Sequence, residues 1–196
     1  MHHSGMSRPD VEDPVAEAFA AVAREDFLPG EVRELAREDQ ALPLGYGQTN
    51  SQPRTVANML RLLRAESGHR VLDVGAGSGW STALLGHIVG ETGEVLGTEL
   101  VPELTKEAAR AVAQYSMSWA SIRQADPGVL GAPDAAPFHR ILVSADAEEL
   151  PDQLVDQLAD GGVMVIPVRA EMLHVEKRGD EVVTTRHGPY SFVPLR

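Results

Sequence analysis

Arg70-Val71-Leu72-Asp73-Val74-Gly75-Ala76-Gly77-Ser78-Gly79-Trp80 is the stretch that decides the fold of this chain. Its first five residues read as a buried strand, its glycines as a tight turn, and residues 81–89 as a helix. Glycines in such a turn let the backbone come close to a ligand and take torsions barred to other residues. The spacing narrows the choice of ligand. A dinucleotide fingerprint, G-x-G-x-x-G, needs glycine where Trp80 stands, and an indole there would block close helix–strand packing. The third glycine instead falls one residue earlier, giving G-x-G-x-G with the acid Asp73 in front of it. A hydrolase elbow, G-x-S-x-G, would need glycine at Ala76 and Trp80, and no G-K-S/T phosphate loop is present.

The same alternation continues outward. Residues 94–98, 121–123, 140–144 and 163–168 read as strands, and 102–114 and 150–159 as helices. Hairpin strands follow at 172–177 and 181–186. Upstream, residues 15–24 and 31–38 read as short helices, 42–53 as a glycine- and proline-punctuated loop, and Val56, Met59, Leu60 and Leu63 as one helical face. The pattern predicts an α/β fold, a doubly wound, mostly parallel sheet with an antiparallel edge hairpin and N-terminal helices. Residues 14–196 are expected to form one domain and 1–13 a flexible tail. Ligands of such sheets bind beyond the carboxyl ends of the strands, which draws attention to Glu99 after the second strand and to Asp126 and Pro127 after the third.

Composition excludes several classes. Lys and Arg number 17 against 29 Asp and Glu, a net charge of −12, and the arginines are scattered. A protein that grips nucleic acid through phosphates shows a basic face, so no nucleic-acid partner is expected. No apolar run is long enough to span a bilayer and no signal segment opens the chain, which predicts a cytoplasmic protein without a membrane partner. The absence of cysteine rules out disulfides, thiolate metal sites and a cysteine nucleophile. The histidines, at 2, 3, 69, 87, 139, 174 and 187, show no ligand spacing, so no metal is expected.

The glycine turn resembles the first motif of the class I methyltransferases, which use S-adenosyl-L-methionine. That resemblance implies cofactor contacts from Asp73, Gly75, Gly77, Ser78 and Gly79, from Glu99 to the ribose hydroxyls, and from Asp126, with Pro127 beside it, to the adenine amino group. A second resemblance is more specific. Leu42-Pro43-Leu44-Gly45-Tyr46-Gly47-Gln48-Thr49-Asn50-Ser51-Gln52-Pro53 is similar to the L-P-I-G-x-G-Q-T-I-S-Q-P segment of protein-L-isoaspartate O-methyltransferases. Val22-Ala23-Arg24-Glu25-Asp26-Phe27-Leu28-Pro29 resembles their V-x-R-E-x-F-V-P. Arg140-Ile141-Leu142-Val143, Glu149-Leu150-Pro151, Gly161-Gly162, Val165-Ile166-Pro167-Val168 and Phe192-Val193-Pro194-Leu195 follow in the family's order.

The family resemblance implies transfer of a methyl group to the free carboxylate of L-isoaspartyl residues in damaged proteins or peptides, by a monomer. The ester is a better leaving group than the carboxylate, so a succinimide closes and hydrolyses partly to normal aspartate. It also implies cofactor contacts from Gln48, Thr49, Asn50 and Ser51, with the Ser51 hydroxyl orienting the acceptor carboxylate. A serine just before Pro53 also suits a helix cap, and that alternative stays open.

The chain departs from the family pattern at several points. Asn50 replaces isoleucine, Pro127 replaces glycine, His139 replaces aspartate and Asp146 enters a small, apolar stretch. Pro167-Val168-Arg169-Ala170-Glu171-Met172-Leu173 is shorter than the family's loop and lacks its glycine and glutamine. These departures leave two alternatives: a same-fold methyltransferase for a different carboxylate, such as an aspartate in a peptide natural product, and a cofactor-binding module without turnover.

Overall fold

A computed structural model describes residues 13–196. The remainder of the expected N-terminal tail lies outside the described residues. Asp13, placed in that tail on sequence grounds, caps helix α1 (Pro14–Ala21): its carboxylate accepts from the Val15 amide at 3.1 Å and pairs with Arg61 at 2.7 Å.

Strands β3 (Arg70–Val74), β4 (Glu94–Glu99), β5 (Ala120–Gln124), β6 (Phe138–Val143), β7 (Leu158–Val168), β8 (Glu171–Arg178) and β9 (Glu181–Pro189) form a seven-stranded sheet in the order β5-β4-β3-β6-β7-β8-β9. The first five of these pair in parallel, and β8 and β9 close the far edge antiparallel. Strand order reverses between β3 and β6, which opens a crevice at their carboxyl ends. Side-chain alternation divides the core. Val71, Val95, Leu142 and Val165 face α1, α2 (Pro53–Leu63) and α3 (Trp80–Val89), while Leu72, Ile141, Met164 and Ile166 face the other way. Helix α4 (Pro102–Ala113) packs beside β5. No helix among the described residues is long and apolar enough to cross a membrane.

Three local expectations need correction, each for a tertiary reason. The expected helix at 150–159 is only α5 (Asp152–Asp156), because β7 already starts at Leu158. Gln157 is buried and spends its side chain on the 130–132 segment, accepting from the Ala132 amide and donating to the Leu130 carbonyl, both at 2.8 Å. The expected helix at 31–38 is a 3-10 turn, Gly30–Leu35, after which the carbonyls of Ala36, Glu38 and Gln40 turn inward to the Arg24 guanidinium instead of forming a helical ladder. The expected loop at 42–53 contains a separate two-stranded hairpin, β1 (Leu42–Gly45) and β2 (Gln48–Asn50). Its connecting residues Tyr46 and Gly47 both have positive φ, 55° and 72°, the handedness that tight hairpins favour.

Candidate active site

A cavity of about 1100 Å³ opens at the carboxyl ends of β3, β4 and β6. Residues 48–52, the glycine turn, residues 98–102, Ser144, Ala145 and the C-terminal segment 189–196 line it. Its size exceeds that of most single-ligand pockets, leaving room for a cofactor and an acceptor side chain.

Backbone bonds hold the cofactor side. The amides of Gly75 and Ala76 both donate to the Thr98 carbonyl, at 2.9 and 3.0 Å, locking the turn onto the neighbouring strand. Glu99, buried at the end of β4, accepts from the Gly77 amide through Oε2 and from the Val101 amide through Oε1, each at 2.9 Å. No cation pairs with it among the described residues. A buried carboxylate held by two amides keeps acceptor capacity on both oxygens, which fits the two donors of a ribose diol. Val101, Ala125, Val129, Leu130 and Gly131 continue the wall with surface suited to a purine.

The glycine turn divides by task. Gly75, Gly77 and Ser78 line the cavity, whereas Gly79 does not. Gly79 has φ +86°, and a Cβ there would stand 3.0 Å from Val112 Cγ2 and 3.2 Å from the Ala108 carbonyl. Its role is to let α3 start close against α4. Trp80, next in the chain, is buried, meets Phe19 edge-on at 5.2 Å and lies 5.4 Å from the Arg24 guanidinium carbon. The indole therefore packs α3 against α1, and Trp80 also contributes to the cavity lining.

Asp73, also expected at the cofactor, lies outside the cavity lining. Its Oδ2 accepts from the hydroxyls of Ser81 and Thr82, both at 2.7 Å, and Oδ1 is buried without a partner among the described residues. Burial pushes its pKa up to about 6, against the lowering effect of the two hydroxyls, with a smaller upward push from Glu99. Asp126 and Pro127 do not line the cavity either. They are exposed in a turn closed by the Val129 amide on the Asp126 carbonyl at 3.0 Å, and the wall there comes from the residues on either side.

On the acceptor side, Gln48, Thr49, Asn50 and Ser51, which the resemblance gives as cofactor contacts, all line the cavity. Ser51 does not cap α2. The cap position belongs to Gln52, and the Arg54 amide in the first turn is taken at 3.0 Å by Asp39 from outside the helix. That bond, with Arg54 beside it, holds the Asp39 carboxyl below the usual carboxylate range. The Ser51 hydroxyl makes no hydrogen bond among the described residues and sits on the cavity wall. Holding this segment is Arg24, 5% exposed, which donates to the carbonyls of Ala36, Glu38, Gln40 and Ser51 at 2.8–3.2 Å and to Asn50 Oδ1 at 2.7 Å.

Sequence reasoning quoted Arg24 within a motif but gave it no place near the site, since its partners lie 12 to 27 residues downstream. It also missed the C-terminal segment as a cavity wall. That segment is stapled across the crevice by Asp146, whose amide donates to the Val193 carbonyl at 2.7 Å and whose carbonyl accepts from Leu195 at 2.8 Å. Asn58 on α2 reaches the Tyr190 hydroxyl at 3.2 Å. The short β7–β8 connection is the two-residue turn Arg169-Ala170, with φ 51° and 60° and no glycine. Asp146 supports it, its carboxylate accepting from the Ala170 amide at 2.9 Å. Two departures from the family pattern, the acid and the short turn, are thus parts of one structure.

Comparisons with known proteins agree with this geometry. The family model described as protein-L-isoaspartate(D-aspartate) O-methyltransferase (PCMT) matches residues 4–196. A protein-L-isoaspartate O-methyltransferase of Methanopyrus kandleri is 42% identical over 186 residues, 92% of this chain and 82% of that protein. Among solved structures, a protein-L-isoaspartate O-methyltransferase superposes with TM-score 0.86 at 26% identity, over 95% of this chain and 62% of that one. One from Plasmodium falciparum, solved in complex with S-adenosyl-L-homocysteine, shares the fold with TM-score 0.82 at 24% identity, over 95% of this chain and 91% of that one. Matched along nearly its whole length, with the family's hairpin and glycine turn meeting at one cavity, this chain belongs to the protein-L-isoaspartate O-methyltransferase family.

Proposed function

We propose that this chain is an S-adenosyl-L-methionine-dependent carboxyl O-methyltransferase that methylates L-isoaspartyl residues of peptides and proteins. The observation that carries this reading is that Ser51, whose hydroxyl makes no hydrogen bond among the described residues, lines the same cavity as the Glu99 carboxylate and the glycine turn. When bound, the cofactor supplies a methyl group on a positively charged sulfur. Glu99 would hold its ribose, the turn from Gly75 to Ser78 would pass beside it, and the wall around Val101 and Val129 would cover its purine.

The rest is the work of the chain's own groups. An acceptor carboxylate is already ionised near neutral pH, so no strong base has to remove a proton. Ser51 donates a hydrogen bond to that carboxylate and turns one oxygen toward the methyl group. Fixing the reacting atoms in line accounts for most of the acceleration. Tyr190, Phe192 and Val193 cover the crevice, and the dry surroundings favour loss of charge on transfer.

We also read the protein as a single-domain cytoplasmic monomer that does not act on nucleic acid, the net charge of −12 supporting the last point. The clamped Arg169-Ala170 turn favours one second reading, a different carboxylate acceptor, because the Ala170 carbonyl accepts from the Tyr190 amide at 2.8 Å, at the start of the C-terminal segment that lines the cavity. Transfer of radiolabelled methyl to an isoaspartyl peptide, run beside its aspartyl twin, decides between them. Label in the isoaspartyl peptide alone is expected. Label in neither, with normal binding of S-adenosyl-L-homocysteine, would move the assignment to another carboxylate or to a module without turnover.

A further inference from the structure

Asn50 ends β2, one residue before Ser51, and is 4% exposed. Both ends of its amide are engaged. Oδ1 accepts from Arg24 Nε at 2.7 Å, and Nδ2 donates to the Ser78 hydroxyl at 3.0 Å. Arg24 in turn donates to the Ser51 carbonyl at 3.1 Å. A buried chain of polar contacts therefore runs from the Ser51 backbone, through Arg24 and Asn50, to the glycine turn. No strand pairing does this job, because the β1–β2 hairpin and the seven-stranded sheet are separate. An apolar side chain at position 50 would fill the space and make neither bond. An amide buried with both ends satisfied resists sliding, since any shift leaves a polar group unpaired.

We propose that Asn50 is a positioning residue: its amide sets the Ser51 segment in register with the glycine turn and so fixes the acceptor relative to the methyl group. This rests on the methyl-transfer reading above. Arg24 keeps its carbonyl partners when Asn50 changes, so the hairpin stays folded while its register with the turn loosens.

The test compares wild type with Asn50→Leu, Asn50→Asp, Ser78→Ala and the Asn50→Leu/Ser78→Ala double variant. Asn50→Leu should lower kcat about tenfold and leave KM for the cofactor within about twofold, because alignment is lost rather than binding. Asn50→Asp can accept from both Arg24 Nε and the Ser78 hydroxyl, and should recover to within about threefold of wild type. Ser78→Ala added to Asn50→Leu should lower kcat no further, as expected of two groups in one link. Hydrogen exchange gives a readout that needs no acceptor: S-adenosyl-L-homocysteine should slow exchange over residues 48–52 in wild type and Asn50→Asp but not in Asn50→Leu.

Unchanged kcat in Asn50→Leu, failure of Asn50→Asp to recover activity, or equal protection in wild type and Asn50→Leu would each overturn the proposal. Should Asn50→Leu fail to fold, Ser78→Ala cuts the same link with the Arg24–Asn50 bond intact, and unchanged kcat there overturns it equally. A wild type that shows the exchange effect but methylates no isoaspartyl peptide counts instead against the proposed function.

Discussion

The two sides of the cavity are held by different forces. On the cofactor side, the glycine turn hangs from Thr98 and Glu99 by backbone amides, and the sheet that carries them is continuous. On the acceptor side, a hairpin of short strands stands apart from that sheet, with Leu42 and Leu44 buried against Leu28, Ala36 and Leu104, and the side chains of Arg24 and Asn50 tie it to the glycine turn. A ladder shares a perturbation among many bonds, whereas a side-chain hub concentrates it. Single substitutions should therefore fall unequally on the two sides.

The largest effect is expected at the hub. Arg24→Met removes the donor to the carbonyls of Ala36, Glu38, Gln40 and Ser51 and should cost about 3–5 kcal/mol, as when a buried charged network loses its partner. Urea unfolding measures it. A cost below about 1 kcal/mol would break the contrast, because it would mean the hairpin holds its place without the guanidinium.

Next comes Asp73, where the cofactor side carries strain of its own. Its pKa is raised to about 6, so the native state binds the proton more tightly than the unfolded chain does. Stability from this group is complete below the unfolded pKa near 3.8 and is lost as pH rises through about 6. Asp73→Asn should remove that dependence. Its stability relative to wild type should grow between pH 4 and pH 7 by up to roughly 3 kcal/mol, and a difference that stays flat across that range would contradict the buried-acid account.

Smaller effects separate Glu99 from Asp126. Glu99→Ala should weaken S-adenosyl-L-homocysteine binding by about 1–3 kcal/mol in isothermal titration, the range for lost hydrogen bonds to a charged group. Asp126→Ala should change it by less than about 0.5 kcal/mol, as for an exposed side chain away from the ligand. Equal losses at both positions would place Asp126 at the adenine site.

The same contrast explains what the sequence made legible. The cofactor side is written locally: strand, turn and helix run in order from Arg70 to Val89, and their spacing alone excluded a dinucleotide site through Trp80. What local spacing could not say is which glycine serves packing, since Gly79 is decided by Val112 and Ala108 on another helix. The acceptor side was legible only as a resembling segment, and it read as a loop. Its hairpin is tied down by Arg24, and the Arg54 amide of its helix is taken by Asp39, twelve or more residues away in each case. The C-terminal segment was legible only as a resembling stretch, and its place on the cavity was not, because Asp146, which staples it, lies about fifty residues earlier in the chain.

The most direct test of the division between the two sides is Ser51→Ala. With the Arg54 amide taken by Asp39, the Ser51 hydroxyl has no hydrogen-bond partner to lose among the described residues. Melting temperature and S-adenosyl-L-homocysteine affinity should stay as in wild type, while kcat/KM for the isoaspartyl peptide falls by roughly one to two powers of ten, the equivalent of about 1.5–3 kcal/mol for a lost hydrogen bond to a carboxylate. A destabilised variant with unchanged kcat/KM per folded molecule would contradict the account and leave Ser51 a part of the scaffold.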